Sequence, residues 1–193
     1  MRKIKLLSTV SIDGFASRVN GDMAWASTEG RNPLEVYDFT SFFGDVNCVV
    51  MNRTQYLMLN FQNYPWAFLP GRSYIVLTRK GAPIYYGSVT QREIISVLTT
   101  DEEREKGDVY YMRELQKQSN RGDIWVMGDH RLTASLLQNG MVDEICILRM
   151  PITMGSGLSF LAGFGAEQRW ELGNVVNYPD GALMTCYHRL KTA

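Results

Sequence analysis

The 193-residue sequence predicts an α/β fold: a mixed central sheet, helices on both faces, and an antiparallel hairpin at its C-terminal end. Three observations carry that prediction. Short apolar runs of strand length alternate with segments of helical spacing along most of the chain. Ile124 to Met127, Gly128 and Leu132 to Gln138 read as strand, glycine turn and helix, which brings backbone N–H groups to one point. Gln168 to Tyr178 and Ala182 to Lys191 alternate as two strands around Tyr178-Pro179-Asp180-Gly181-Ala182, which has hairpin turn chemistry.

The elements follow in order. Lys3 to Ser11 is the first strand, apolar on both faces and therefore central. It runs into Ser11-Ile12-Asp13-Gly14-Phe15, where Asp-Gly marks a turn at the end of the sheet that usually holds ligands. Asp13 is either a turn-former or a site residue. Val19 to Trp25 is a loop whose tryptophan either pins it to the core or lines a pocket. Pro33 opens a helix that extends from Leu34 to Phe43 and ends at Gly44. Val46 to Met51 and Ser73 to Thr78 are buried strands, with a short helix, Gln55 to Leu59, after the first. The aromatic segment from Phe61 to Pro70 is a loop; Pro83 to Thr90 is a short strand or extended piece, Arg92 to Leu98 has no clear pattern, and Asp108 to Gln118 is helical. A further strand runs from Val142 to Met150, ahead of a loop with Pro151, Gly155 and Gly157. No domain-linker composition or internal repeat interrupts the chain, so residues 1–193 are read as one domain.

Twenty basic and twenty acidic residues cancel, which gives no electrostatic footprint for nucleic acid or an anionic membrane. No apolar run reaches the roughly 18 residues of a membrane span. The basic, then apolar N-terminus is broken by Ser8, Thr9 and Ser11 and lacks a cleavage signal, so a cytoplasmic location is expected. Cys48, Cys146 and Cys186 stand singly in strand-like stretches and read as buried, reduced thiols. Their spacing to His130 and His188 does not suggest zinc, and no metal ligand is expected.

Several pieces together resemble the dihydrofolate reductase-like superfamily, and most closely its branch containing the riboflavin biosynthesis reductase (RibD C-terminal) domain. They are Ser11-Ile12-Asp13-Gly14-Phe15; Asn20-Gly21-Asp22 with Trp25; Val50-Met51-Asn52-Arg53-Thr54-Gln55-Tyr56; and Val76-Leu77-Thr78-Arg79. Ile124 to Gly128, Gly140-Met141-Val142-Asp143-Glu144, and Pro151, Gly155 and Gly157 complete an ordered set spanning nearly the whole chain. The resemblance implies a three-layer dihydrofolate reductase-like sandwich and NADPH laid across the C-terminal ends of the central strands. It places Asn52, Arg53 and Thr54 at the cofactor's phosphates, Thr78 and Arg79 at its 2′-phosphate, and Gly128, Asp129, His130, Arg131 and Leu132 around its pyrophosphate. Asp22 and Trp25 would form a lid over the nicotinamide. Asp13 would face the substrate as the acid, and Glu35 and Asp38 would be further substrate contacts. The implied reaction is hydride transfer to a C=N or C=O of a small pteridine- or pyrimidine-like or carbonyl substrate. Relatives are often homodimers, and the Phe61 to Phe68 segment would suit an interface.

Two residues depart from the family pattern at these phosphate contacts. Asn52 and Asp129 stand where the family has glycine. Asn tolerates positive φ. The Asp129 carboxylate beside a phosphate costs on the order of several kcal/mol, unless it turns away to cap the helix; His130 and Arg131 would offset part of the repulsion. The alternative to a reductase is a relative that keeps the fold but has lost or altered its use of NADPH.

Overall fold

The structure is a computed structural model that describes residues 1–53, 55, 73–78, 94–98, 101–118, 122–127, 130–163, 165 and 167–190. Its main sheet has eight strands: β1 (Ile4–Val10), β3 (Val46–Asn52), β4 (Ser73–Thr78), β5 (Ile94–Leu98), β6 (Asp123–Met127), β7 (Glu144–Arg149), β9 (Trp170–Asn177) and β10 (Leu183–Arg189). They lie in the order β5-β4-β3-β6-β1-β7-β10-β9. The first six are parallel, and β10 and β9 join antiparallel. A separate ribbon pairs β2 (Phe15–Ser17) with β8 (Leu158–Ser159); nothing in the sequence reading anticipated it.

Strand periodicity sorts the core into two layers. On one face Val49, Met51, Trp125, Cys146, Leu148 and Met184 pack against Tyr37, Phe39 and Phe42 of the segment carrying α1 (Pro33–Val36) and α2 (Thr40–Phe43). On the other, Ile4, Leu6, Val50, Ile124, Val126 and Ile145 meet Met112 and Leu115 of α3 (Asp101–Lys117) and Leu132, Leu136 and Leu137 of α4 (His130–Gln138). The three layers match the expected dihydrofolate reductase-like sandwich. Gly107, at φ +69°, breaks α3 into two segments. Among the described residues no helix is long and apolar enough to cross a membrane.

The helix expected over Leu34 to Phe43 is instead two short ones. Tyr37 takes an extended conformation (φ −104°, ψ 148°) between them. The Asp38 carboxylate then accepts the Thr40 N–H at 2.8 Å and starts α2 afresh. Local side-chain acceptors thus override the apolar spacing.

At the N-terminal ends of the central strands lies a buried charge network. Lys5 Nζ is 3.2 Å from Asp123 and 3.7 Å from Glu144, donates to the Phe42 carbonyl at 3.3 Å, and sits 5.6 Å from the Phe42 ring centroid. The expectation of three reduced thiols is not met. Cys146 and Cys186 form a disulfide with an S–S distance of 2.00 Å. The antiparallel register sets them directly opposite one another, a juxtaposition that their separation of 40 residues hides. The aromatic segment 61–70, the segment 83–90 and most of the helix expected after Asn52 lie outside the described residues.

Candidate active site

A cleft of about 500 Å³ opens at the C-terminal ends of β1 and β6. That volume falls within the range of small-molecule sites. Its floor is Leu7, Ser8 and Thr9 of β1 and Trp125, Val126 and Met127 of β6. One wall is the segment from Gly21 to Ser27, including a 3-10 turn at Ala24–Ala26; the other is Leu158, Ser159 and Phe160. Asn32, Pro33 and Leu34 at the start of α1, Gln55, and His130 and Thr133 of α4 complete it. Among these residues Asp22 and His130 are the titratable side chains. The other polar groups are neutral hydroxyls and amides, a lining suited to a neutral ring with hydrogen-bonding edges.

The β1–β2 turn is held by a carboxylate. Asp13 accepts the Ser11 hydroxyl at 2.6 Å, the Met154 N–H at 3.1 Å and the Gly155 N–H at 2.7 Å. Gly14 and Gly155 adopt φ of +86° and +73°, which makes the two turns possible. The hydrogen bonds from Ser11 and then Gly155 pull the Asp13 pKa down to about 2. Gly157 follows, and a Cβ there would collide with the Ser17 carbonyl oxygen. Close approach of β8 to β2, which closes one side of the cleft, therefore requires glycine at that position.

The structure brings together some predicted site residues and separates others. His130 reaches the cleft, as does the Asp22 loop. Asp13 does not line it; its carboxylate clamps the turn through Ser11, Met154 and Gly155. Trp25 is half-buried and packs on the core beneath the loop, while its neighbours Ala24 and Ala26 face the cleft. It anchors the loop rather than lining the pocket. Glu35 closes a capping box on α1, accepting the Asn32 N–H at 3.0 Å. Asp38, two residues ahead of Thr40 and accepting its N–H, is exposed, and neither carboxylate lines the cleft. Leu132 is buried in the core and Arg131 is exposed. Thr54, Arg79, Gly128 and Asp129 lie outside the described residues, as does the Thr78 side chain at the end of β4. Ser8, Thr9, Asn32, Gln55 and Thr133 were missed. The available signal was Ser8-Thr9, two polar residues at the C-terminal end of an otherwise apolar central strand.

A model of the RibD C-terminal domain family matches residues 2–184. The chain belongs to that family. The uncharacterised Bacillus subtilis protein YwjB is 24% identical over 160 residues, 81% of each chain. Acinetobacter baumannii RibD superposes with a TM-score of 0.70 at 16% identity, covering 99% of this chain and 59% of that one. Dihydrofolate reductase from Enterococcus faecalis, solved with NADP(H), gives a TM-score of 0.59 at 17% identity over 98% of this chain and 97% of its own. These solved structures share the fold. Against the family's Met-Gly-Arg pattern, the structure gives Asn52 a task of its own: its side chain accepts the Gln55 N–H at 2.7 Å. The residue that replaces glycine here caps the turn that follows β3.

Proposed function

We propose that this RibD C-terminal family member is an NADPH-dependent reductase that delivers a hydride to a C=N or C=O of a small heterocyclic or carbonyl substrate. The observation carrying this reading is the cleft at the C-terminal ends of β1 and β6, walled by the 21–27 loop and by the start of α4. Its apolar floor with neutral polar groups at Ser8, Thr9, Asn32 and Gln55 fits a nicotinamide ring and its carboxamide beside a flat substrate. The phosphates would fall to Arg53, Thr54, Arg79 and the turn from Gly128 to Arg131. When bound, the cofactor supplies the hydride.

The protein's own part is positioning and protonation. Ser8 and Thr9 orient ring substituents, and Met23, Leu34 and Phe160 exclude water from the reacting centre. Among the described lining residues His130 and Asp22 are the titratable ones, and one of them, directly or through a water, delivers the proton that completes reduction.

Titration of the purified protein with NADPH, followed by energy transfer from its tryptophans, tests the reading. Saturable binding is expected, and Arg79→Ala should weaken NADPH far more than NADH. A chain that binds neither nucleotide at saturating concentration has lost the cofactor, and the reductase reading fails with it.

A further inference from the structure

We propose that Glu144, Cys146, Cys186 and His188 form a binding site for one thiophilic divalent cation, zinc by ligand type, which the dithiol form takes up and the disulfide form excludes. None of the four residues lines the cleft, so the proposal goes beyond the reductase reading and does not depend on it.

The site follows from strand geometry. Residues two apart on a strand share a face, so Glu144 and Cys146 project together from β7, as do Cys186 and His188 from β10. The antiparallel register then pairs Cys186 with Cys146 and His188 with Glu144. The result is a two-by-two block of ligand-type side chains, Glu-x-Cys facing Cys-x-His. Donor atoms of Glu144, Cys146 and Cys186, all buried, lie within 4.8 Å of one another. Glu144 Oε1 is 3.6 Å from Cys146 Sγ, and Glu144 Oε2 is 3.7 Å from His188 Nδ1. A tetrahedral zinc ion with ordinary Zn–S and Zn–N bonds has ligand–ligand edges of about 3.3–3.8 Å. Glu144 thus lies at edge length from Cys146 through one carboxylate oxygen and from His188 through the other.

Two further features adjoin the block. A Cβ at Gly173 on the neighbouring edge strand would lie 2.5 Å from His188 Nε2 and 2.7 Å from its Cδ2. The imidazole occupies room that only glycine leaves. Lys5, 3.7 Å from Glu144, supplies a buried positive charge beside the block. Two thiolates, Glu144 and the Asp123 carboxylate that also faces Lys5 carry four negative charges, of which a divalent cation with Lys5 offsets three. Cys₂His with a carboxylate is a donor set that favours zinc over magnesium or calcium. Four protein ligands close the coordination shell, which marks a structural site joining β7 to β10 rather than a catalytic one.

The disulfide and the ion exclude each other. A dithiol reductant opens the Cys146–Cys186 bond by exchange, giving up two electrons and two protons and becoming a cyclic disulfide itself. The two cysteines are then thiols, and uptake of the cation displaces their two protons to solvent.

Cobalt(II) is the probe for the test. The full chain is reduced with dithiothreitol, desalted without oxygen and titrated, alongside the oxidised chain. Reduced protein should take up one cobalt per chain, with sulfur-to-cobalt charge-transfer absorption and the visible bands of a tetrahedral ion; oxidised protein should show neither. Cys186→Ala should abolish the charge-transfer band, and Cys48→Ala should keep it. His188→Gln, at a half-exposed position, should weaken cobalt by about tenfold or more. Equal uptake by oxidised and reduced protein, or a reduced chain with no charge-transfer band, overturns the proposal. An affinity unchanged in His188→Gln overturns the four-ligand site.

Discussion

The carboxylate of Asp13 accepts the backbone N–H of Gly155 at 2.7 Å, across 142 residues of chain. That bond ties the turn after the first strand to the loop after β7, and the two segments it joins lead into the facing strands β2 and β8. The folded-state pKa of Asp13, about 2, lies below the ordinary 3.8. Its ionised form therefore stabilises the fold fully above the unfolded value, and the contribution is lost as pH falls through the folded one. Asp13→Asn should melt at a lower temperature than wild type at neutral pH, and the gap should close between about pH 4 and pH 2. A gap that persists in acid would mean the carboxylate's charge is not what holds the turn.

Lys5 is predicted to be costly to remove. Its side chain is 4% exposed and faces Asp123 and Glu144, at 13% and 9%. Lys5→Met leaves two carboxylates in a dry site without their cation, which should destabilise the protein by about 3–5 kcal/mol. Urea unfolding at neutral pH measures it, and a loss under 1 kcal/mol would show that water reaches the network.

Gly157→Ala should weaken both the ribbon and the cleft. The added methyl meets the Ser17 carbonyl, so β8 must move off β2, at about 1–3 kcal/mol. Because Ser17 and Leu158 line the cleft, nucleotide affinity should fall together with stability. A variant as stable as wild type with unchanged NADPH affinity would contradict the close approach.

If His130 or Asp22 delivers the proton, the double variant Asp22→Asn/His130→Gln should lose turnover by about 100-fold or more. The loss should persist at saturating NADPH, while Asp13→Asn should keep most of its turnover. Single-turnover oxidation of bound NADPH separates these outcomes; a fully active double variant would move the proton source to solvent.

Much of the fold could be read in the residues. Strands such as Ser73 to Thr78 carry apolar runs bounded by turn chemistry, and the structure places that strand at the predicted bounds. What was hidden is of one kind. Asp13, Glu35 and Asp38 are carboxylates beside a predicted turn or helix, and a sequence shows their type but not their acceptor geometry; each is spent on nearby backbone N–H groups. For Glu35 and Asp38 those bonds are local, within three residues, and compete with any role in a site; for Asp13 they reach across the chain to Met154 and Gly155. The Cys146–Cys186 pair and the contact of Gly157 with β2 depend on register between distant strands, which periodicity within one strand does not specify. His130 and the Asp22 loop were legible because the resemblance fixed their order along the chain.

The strand order has a consequence for how the protein comes into being. β1, which precedes every other strand of this sheet, is flanked by β6 and β7, whose residues begin at Asp123 and Glu144. Until those arrive, its apolar faces have no lateral partners, and Leu7, Ser8 and Thr9 are not yet a floor for anything. The cleft is thus assembled only when the chain closes on its own beginning, a contact of high sequence separation that slows folding. Any small molecule that binds there reports on the completed sheet and stabilises it as a whole.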